Sequence, residues 1–433
     1  MTAKTAVIGL GKSGLSTVNF LIRHGIVPDV YDTREHPAGE EDLPENCRLV
    51  KGELSGELLS AYDELIVGPG LALSLSALRE AASRGVSIIG DIELFARYCR
   101  APVVGVTGSN GKSTVVTLVS LMAGAAGLNC GLGGNIGIPA LDVLADDRDC
   151  YVLELSSFEL ETTSSLKLAG ATILNLSEDH LDRYDGKMEL YLKAKQRIFA
   201  HAARIVANRE DSATIPPDGH YDVSFGGSRE SYGITLKDNE EWLSVDGVPV
   251  FPVSGLKIYG RHNHMNALAA MALADTLGIS REAQIRVLSD FSGLPHRCRM
   301  VRERNGVRWY NDSKATNVGS TLAAVAGLKS GLRGRIILLA GGLGKGQDFT
   351  PVRNLLGHEV ALMLCFGRDG RMLRDLGPET VLFETMAEAV SYADGIASPG
   401  DVVLLAPACA SFDQFKGFED RGDKFAAMVE SLA

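Results

Sequence analysis

Val103-Val104-Gly105-Val106-Thr107-Gly108-Ser109-Asn110-Gly111-Lys112-Ser113-Thr114 decides how this chain is read. A β-rich run breaks into a glycine turn, and residues 115–122 continue as a predicted helix. Such a turn aims backbone N–H groups and a helix N-terminus at one point, where an anion is stabilised. Lys112 adds a point charge, and the hydroxyl of Ser113 or Thr114 can sit on Mg²⁺. The strict phosphate-loop spacing places glycine at position 106, which here is Val106; the glycines are Gly105 and Gly108. Gly111-Lys112-Ser113-Thr114 between strand and helix still favours a nucleotide phosphate site over a plain tight turn.

The same strand, glycine turn and helix recur along the chain, which predicts an α/β protein with mainly parallel sheets. Gly9-Leu10-Gly11-Lys12-Ser13-Gly14 separates a predicted strand at 5–8 from a predicted helix at 15–23, and Asp32 follows the next strand. That is the layout of a dinucleotide fingerprint, with the acid on a ribose. Thr33 and Arg34 extend its polar reach. Taken alone, the motif argues for an NAD-dependent oxidoreductase. A chain with its own phosphate loop has no evident need of nicotinamide, so a nucleotide diphosphate is the better expectation. Further strands at 30–31, 65–67 and 86–89 complete a Rossmann-like block over 1–92. A central ATPase-type block, 93–295, has strands at 151–155, 171–174 and 204–207. It adds a small antiparallel insertion from about 220 to 259 and a helix over 262–277. A third, Rossmann-like block, 296–433, has strands at 307–310, 336–340, 361–366, 381–383 and 402–406.

Length agrees, since 433 residues exceed the roughly 100–200 of one domain. Lys plus Arg is 43 against 54 Asp plus Glu, a net charge of −11 without a compact basic tract. This excludes a coat for nucleic acid or an anionic membrane, though not a local anion site. Hydrophobic content of 45% with 22% charge excludes disorder. The seven cysteines are isolated, the closest pair being Cys130 and Cys150, so no zinc ribbon or CxxC motif is expected and a reducing cytosol suits them. No apolar run reaches a membrane span, and the first strand leaves no room for a signal peptide. A cytoplasmic protein is expected.

Glu154 stands in an apolar predicted strand beside the phosphate loop, where a buried carboxylate needs a partner and Mg²⁺ is a natural one. His180, in Glu178-Asp179-His180, follows another strand end. Lys195 lies in a predicted helix, 189–199, where sequence alone makes it a solvated lysine. Asn135 is the informative side chain in an expected loop with Gly131, Gly133, Gly134 and Gly137. In the third block, 311–317, 341–346 and 406–412 are polar or glycine-rich turns at strand ends, where ligands of open α/β sheets bind. His296-Arg297 lies just before the first of them.

Together with Leu153-Glu154-Leu155-Ser156-Ser157-Phe158 and Asn263-His264-Met265-Asn266-Ala267, these motifs resemble the Mur ligases, ATP-dependent amino-acid-adding enzymes of peptidoglycan synthesis. The order matches over essentially the whole chain. Gly9-Leu10-Gly11, Asp91-Ile92-Glu93-Leu94-Phe95 and Ser411-Phe412-Asp413-Gln414-Phe415-Lys416 are similar to the branch that joins D-glutamate to UDP-N-acetylmuramoyl-L-alanine. Other branches, with a different amino acid, are the alternative. The resemblance implies an acyl phosphate route to an amide, ADP and phosphate. It implies ATP contacts from Gly108, Ser109, Asn110, Gly111, Lys112, Ser113, Thr114 and Asn135, with Asn266, Arg297 and Asp312 on the adenine and ribose side. Ser113, Thr114 and Glu154 would hold one Mg²⁺; His180 and a carbamylated Lys195 would serve a second. Lys112, Glu154, His180 and Lys195 form the implied catalytic set. Ser13, Asp32, Thr33, Arg34 and Gly70 would meet the UDP substrate, joined by Asn135 and His180. Thr316, Lys345, Ser411 and Phe418 would receive D-glutamate. A monomer without nucleic-acid or membrane partners is expected. Lys12, a charge inside the first glycine turn, is a local difference.

Overall fold

The computed structural model describes residues 4–432 apart from 259, 330, 331 and 333. Three α/β units follow one another. In the first, five parallel strands run in the order Leu49–Lys51, Asp29–Asp32, Thr5–Ile8, Glu64–Val67, Ser87–Ile89. The strand order reverses at Thr5–Ile8, and the 9–14 turn leaves from its C-terminal end, the crevice position of open α/β sheets. Gly14 is required there, because a Cβ would lie 1.9 Å from the Gly9 carbonyl oxygen.

The central unit has four parallel strands, ordered Cys130–Gly134, Cys150–Glu154, Val103–Thr107, Gly170–Ile173. The helix Lys112–Ala125 is apolar nearly all round, as befits a helix held between the sheet and two others, Arg261–Thr276 and Arg281–Asp290. Every residue of 267–274 is buried, many of them alanines that let these helices approach closely. The glycines expected to form a loop before Asn135 instead form the edge strand Cys130–Gly134. They are glycines because a Cβ on Gly131 would meet the Tyr151 ring at 2.5 Å and one on Gly134 the Glu154 carbonyl oxygen at 2.2 Å. Only 135–137 is left as loop.

The expected antiparallel insertion is part of a mixed sheet. Tyr232–Lys237, Glu240–Val245 and Val248–Pro252 form an antiparallel meander, but Val223–Phe225 and Val206–Asn208 join it in parallel. The last strand is tied to the main sheet by Thr172, whose Oγ1 donates to the Val206 carbonyl at 2.7 Å. The third unit orders its strands Arg299–Arg304, Val307–Asn311, Val402–Leu405, Ile336–Gly341, Val360–Phe366, Thr380–Leu382; the first pair is antiparallel and the rest parallel. Ser87–Ile89 leads directly into the helix Asp91–Tyr98, whose Ile92, Leu94 and Phe95 pack in one core with apolar residues of the first and central units. Phe95 meets Tyr151 edge to face at 5.1 Å between ring centres.

Candidate active site

The strand Val103–Thr107 is buried throughout and releases the chain into a loop that only glycine can trace at two points. Gly108 has φ +147° and Gly111 φ +84°, and a Cβ on Gly111 would lie 2.4 Å from Asn266 Oδ1. The loop is fastened from below: Ser109 N donates to the Asn175 carbonyl at 2.9 Å, Asn110 N to Asn175 Oδ1 at 2.9 Å, and Ser177 N to Ser109 Oγ at 2.9 Å. Lys112 Nζ folds over it, donating to the carbonyls of Gly108 and Ser109 at 2.9 and 3.0 Å. Burial lowers the pKa of Lys112, an effect that the carboxylates of Glu154 and Asp179 oppose.

Glu154 is 3% exposed, and its partners are Ser113 Oγ, 2.5 Å from Oε2, and Asn135 Nδ2, 3.2 Å from Oε1. Asn135 N also donates to the Glu154 carbonyl at 2.8 Å. The hydroxyl of Ser113 and the carboxylate of Glu154 are adjacent hard oxygens at the head of the loop, a donor set that fits Mg²⁺. His180 and Lys195 differ. His180 has φ 53°, stands 3.7 Å from Asp179 Oδ2 and lies edge-on to Phe158 at 5.0 Å. Burial lowers its pKa. Lys195, read from sequence as solvated, is 2% exposed beneath the loop. Its Nζ donates to the Gly108 carbonyl at 3.0 Å and to Thr107 Oγ1 at 3.3 Å, 4.5 Å from the Tyr191 ring centre. Burial, then the charge of Lys112, pushes its pKa well below the ordinary lysine value. An unmodified Lys195 ammonium would repel a cation, so only a modified Lys195 could take part in a second cation site.

The third unit closes over the loop. Arg297 donates to Ser113 Oγ at 2.7 Å, Ser320 Oγ to Asn110 Oδ1 at 2.6 Å, and Asn317 Nδ2 reaches Asp179 Oδ2 at 3.3 Å. Lys345 Nζ stands 3.4 Å from Asp179 Oδ1. Between the units is a cleft of about 660 Å³, lined by Ser109, Asn110, Gly111, Lys112, Ser113, Thr114, Asn135, Glu154, His180, Asn266, Arg297, Asp312, Thr316 and Lys345. Burial raises Asp312 to about 7 against the pull of Arg297. It lowers Lys314 to about 8, helped by Arg297 and Lys112. Five lysine and arginine side chains, Lys112, Arg261, Arg297, Lys314 and Lys345, line the cleft with four carboxylates, Glu154, Asp179, Glu210 and Asp312. That mixture suits a polyanion bound together with a cation.

Some expected residues lie elsewhere. Gly108 and Lys195 form the floor, outside the cleft lining. Ser411 is buried, and Phe418 supports the wall: its carbonyl accepts from Ser313 Oγ at 2.8 Å and its ring holds Lys314 Nζ at 4.0 Å. Arg297 and Asn266, implied for the adenine side, touch Ser113 and Gly111 at the phosphate end. In the first unit, Asp32 accepts from Leu10 N at 2.7 Å and from Arg34 N, Nε and NH2 at 2.8, 2.9 and 2.7 Å. Burial alone would raise this carboxyl; the Arg34 and Leu10 bonds outweigh it and hold it at about 2. Ser13 is half-buried, and Thr33, Arg34 and Gly70 are exposed. Lys12 Nζ donates to the Gly137 carbonyl of the central unit.

Sequence reasoning did not single out Asp179, Lys314, Asn317 or Ser320, although the first three stood within quoted motifs. Arg421 carried no signal at all. It is fully buried and donates to Ser313 Oγ and O at 2.9 and 2.8 Å and to the Cys409 carbonyl at 3.0 Å, binding two of the polar turns together.

Three family models match in order: "Mur ligase MurD-like, N-terminal domain" over 3–90, "Mur ligase middle domain" over 106–274, and "Mur ligase, glutamate ligase domain" over 296–409. The chain is 50% identical over 429 residues to UDP-N-acetylmuramoylalanine–D-glutamate ligase of Escherichia coli strain K12, covering 98% of each chain. It is 50% identical over 432 residues to the protein of that name from Yersinia pseudotuberculosis, covering 99% of this chain and 98% of the other. Among solved structures, the fold matches a pseudomurein peptide ligase type C from Methanothermus fervidus with TM-score 0.64 at 18% identity, covering 100% of both chains. It matches the MurF ligase of Thermotoga maritima in complex with ADP with TM-score 0.62 at 16% identity, covering 100% of this chain and 97% of the other. The 9–14 turn, which alone suggested an oxidoreductase, falls inside the first of these family domains. Three consecutive family domains and full-length identity of this order leave one conclusion: the chain belongs to the Mur ligase family.

Proposed function

We propose that the protein joins D-glutamate to UDP-N-acetylmuramoyl-L-alanine at the expense of ATP, releasing ADP and phosphate, as a cytoplasmic monomer in peptidoglycan precursor synthesis. The observation that carries this is the cleft in which the loop of Lys112 faces Arg297, Thr316 and Lys345 of the next unit. The full-length relatives, named as D-glutamate ligases, supply the acceptor. Among the described residues no helix is long and apolar enough to cross a membrane.

A carboxylate is a poor electrophile, and phosphorylation gives it a leaving group. The substrate carboxylate attacks the γ-phosphorus and ADP leaves; the neutral amine of D-glutamate then attacks the acyl carbon and phosphate leaves. The loop N–H groups and Lys112 hold the β- and γ-phosphates, whose charge restores the ammonium that burial disfavours. Mg²⁺ on Ser113, Thr114 and Glu154 would neutralise the phosphate oxygens during transfer. Asn135 keeps Glu154 oriented. Thr316 and Lys345 face the acceptor, with Lys345 exchanging Asp179 for the glutamate side-chain carboxylate, and Ser411 and Phe418 shape the wall behind it. The first unit's Ser13, Asp32, Thr33, Arg34 and Gly70 hold the UDP moiety.

Lys195 is read as carbamylated in the active protein. Burial favours the neutral form of its amine, and it is the neutral amine that adds CO₂, losing a proton to give a carbamate that, with His180, would ligate a second Mg²⁺. Isotopically labelled bicarbonate should give a carbamate signal absent from Lys195→Ala. Phosphate release from ATP, measured with the UDP substrate and a panel of D- and L-amino acids, tests the whole reading. D-glutamate should be selected; AMP as the nucleotide product would contradict it.

A further inference from the structure

Cys130 and Cys150 take no part in the chemistry above, and nineteen residues intervene between them in sequence. The fold sets them opposite one another as register partners at the start of the parallel strands Cys130–Gly134 and Cys150–Glu154. Neighbouring strands lie about 4.8 Å apart, inside the Cα separation that a disulfide accepts. Register partners project to the same face, and Cys130–Gly134 is the edge of its sheet.

The two thiols are unequal. Cys150 is 2% exposed, whereas Cys130 is half-buried and has the Arg148 guanidinium 3.4 Å from its carbonyl. The neighbouring Cys150 thiol, with Ser120 and Arg148, lowers the Cys130 thiol against burial, and the same hydrogen bond together with burial raises the Cys150 thiol. Burial pushes Cys47, Cys99, Cys298, Cys365 and Cys409 up. The pair is thus the place where a thiolate and a resolving thiol meet. At their other ends the same strands reach the nucleotide site, where Gly134 pairs with Glu154 and Asn135 holds its carboxylate.

We propose that Cys130 and Cys150 form a redox-modifiable pair, which a low-molecular-weight disulfide converts into a cross-strand disulfide that weakens nucleotide binding at the far end of both strands. The Cys130 thiolate attacks one sulfur of oxidised glutathione, forming a mixed disulfide and expelling one glutathione thiolate. Cys150 gives up its proton and attacks the Cys130 sulfur, expelling the second. Two protein thiols are oxidised and one glutathione disulfide is reduced to two thiols. The nucleotide half rests on the ATP site proposed above; the linkage does not.

The test exposes the full-length protein to oxidised glutathione, removes the oxidant, titrates ADP by calorimetry before and after, and maps the peptides of a portion whose remaining thiols are alkylated in denaturant. A Cys130–Cys150 linked peptide is expected while the other five cysteines stay alkylatable. ADP affinity should fall several-fold, recover with dithiothreitol, and stay constant in oxidant-treated Cys130→Ser and Cys130→Ala. Cys130 remaining alkylatable, or remaining bound to glutathione without resolution by Cys150, would overturn the linkage. A linked peptide with unchanged ADP affinity would overturn the coupling. If the reduced protein bound no ADP, the ATP site itself and the coupling would fail, and the peptide map would still decide the disulfide.

Discussion

The 9–14 turn and the 108–114 loop each follow a buried parallel strand and open a helix, yet they meet different surroundings. The first is braced largely within its own unit: Asp32 spends both oxygens on Leu10 and Arg34, and the Gly9 carbonyl fills the space a Gly14 side chain would need. From this turn Lys12 reaches the central unit, at the Gly137 carbonyl. The second is crossed from outside, with Arg297 on Ser113 and Ser320 on Asn110, both from the third unit. A turn finished by its own neighbours suits holding a substrate. A loop completed by another domain suits a reaction that must wait for closure. On the proposed function, UDP binding and phosphoryl transfer then fall mainly to different units.

The largest expected effect is at the floor of the loop. Lys195→Ala should lose roughly 100-fold or more in kcat, measured by steady-state phosphate release. Formate or acetate should restore part of the rate by supplying the missing carboxylate. Full activity without any additive would refute a role for Lys195. Next comes domain closure. Arg297→Ala leaves Ser113 without its partner from the third unit and should cost roughly 10- to 100-fold in kcat/KM for ATP. Its effect on affinity for the UDP substrate should be small by calorimetry.

Glycine substitutions sharpen the contrast through stability. Gly111→Ala forces a side chain into φ +84° and against Asn266 Oδ1, so thermal unfolding should show a loss of about 1–3 kcal/mol. Gly11 has φ −92° and nothing within 4 Å of its would-be Cβ. Gly11→Ala should stay within about 0.5 kcal/mol while weakening the UDP substrate, whose diphosphate needs the backbone's close approach.

The smallest effect concerns the junction between first and central units. Burial, reinforced by Asp91, raises Glu159 to about 8, and burial raises Asp91 to about 6. The folded state then holds more protons than the unfolded one between their ordinary values, 4.5 and 3.8, and these. The contribution to stability is present at low pH and is lost as pH rises toward 8. Glu159→Gln should flatten that slope in thermal melts from pH 5 to 8; an unchanged slope would assign it to other groups.

The loop was legible because its signal is local: glycines, a lysine and hydroxyls at fixed spacing between strand and helix. The order of the three units was legible for the same reason. Lys195 was not, since its helix could turn any face to solvent and only the packed Tyr191 and Gly108 show that it faces inward. The strand Cys130–Gly134 was hidden because its glycines, a turn signal by composition, answer to the Tyr151 ring and the Glu154 backbone. Arg297 belongs to a segment of the third unit, and nothing in its neighbourhood of the sequence points 184 residues back to Ser113. The Cys130–Cys150 pairing is long-range in the same way.

Separation of binding from chemistry is tested most directly by Lys112→Ala. Its affinity for UDP-N-acetylmuramoyl-L-alanine, measured by calorimetry, should equal that of the unaltered protein while ATP-dependent phosphate release is nearly abolished. A collapse of UDP-substrate affinity parallel to the loss of turnover would contradict the assignment of the two glycine turns to two different tasks.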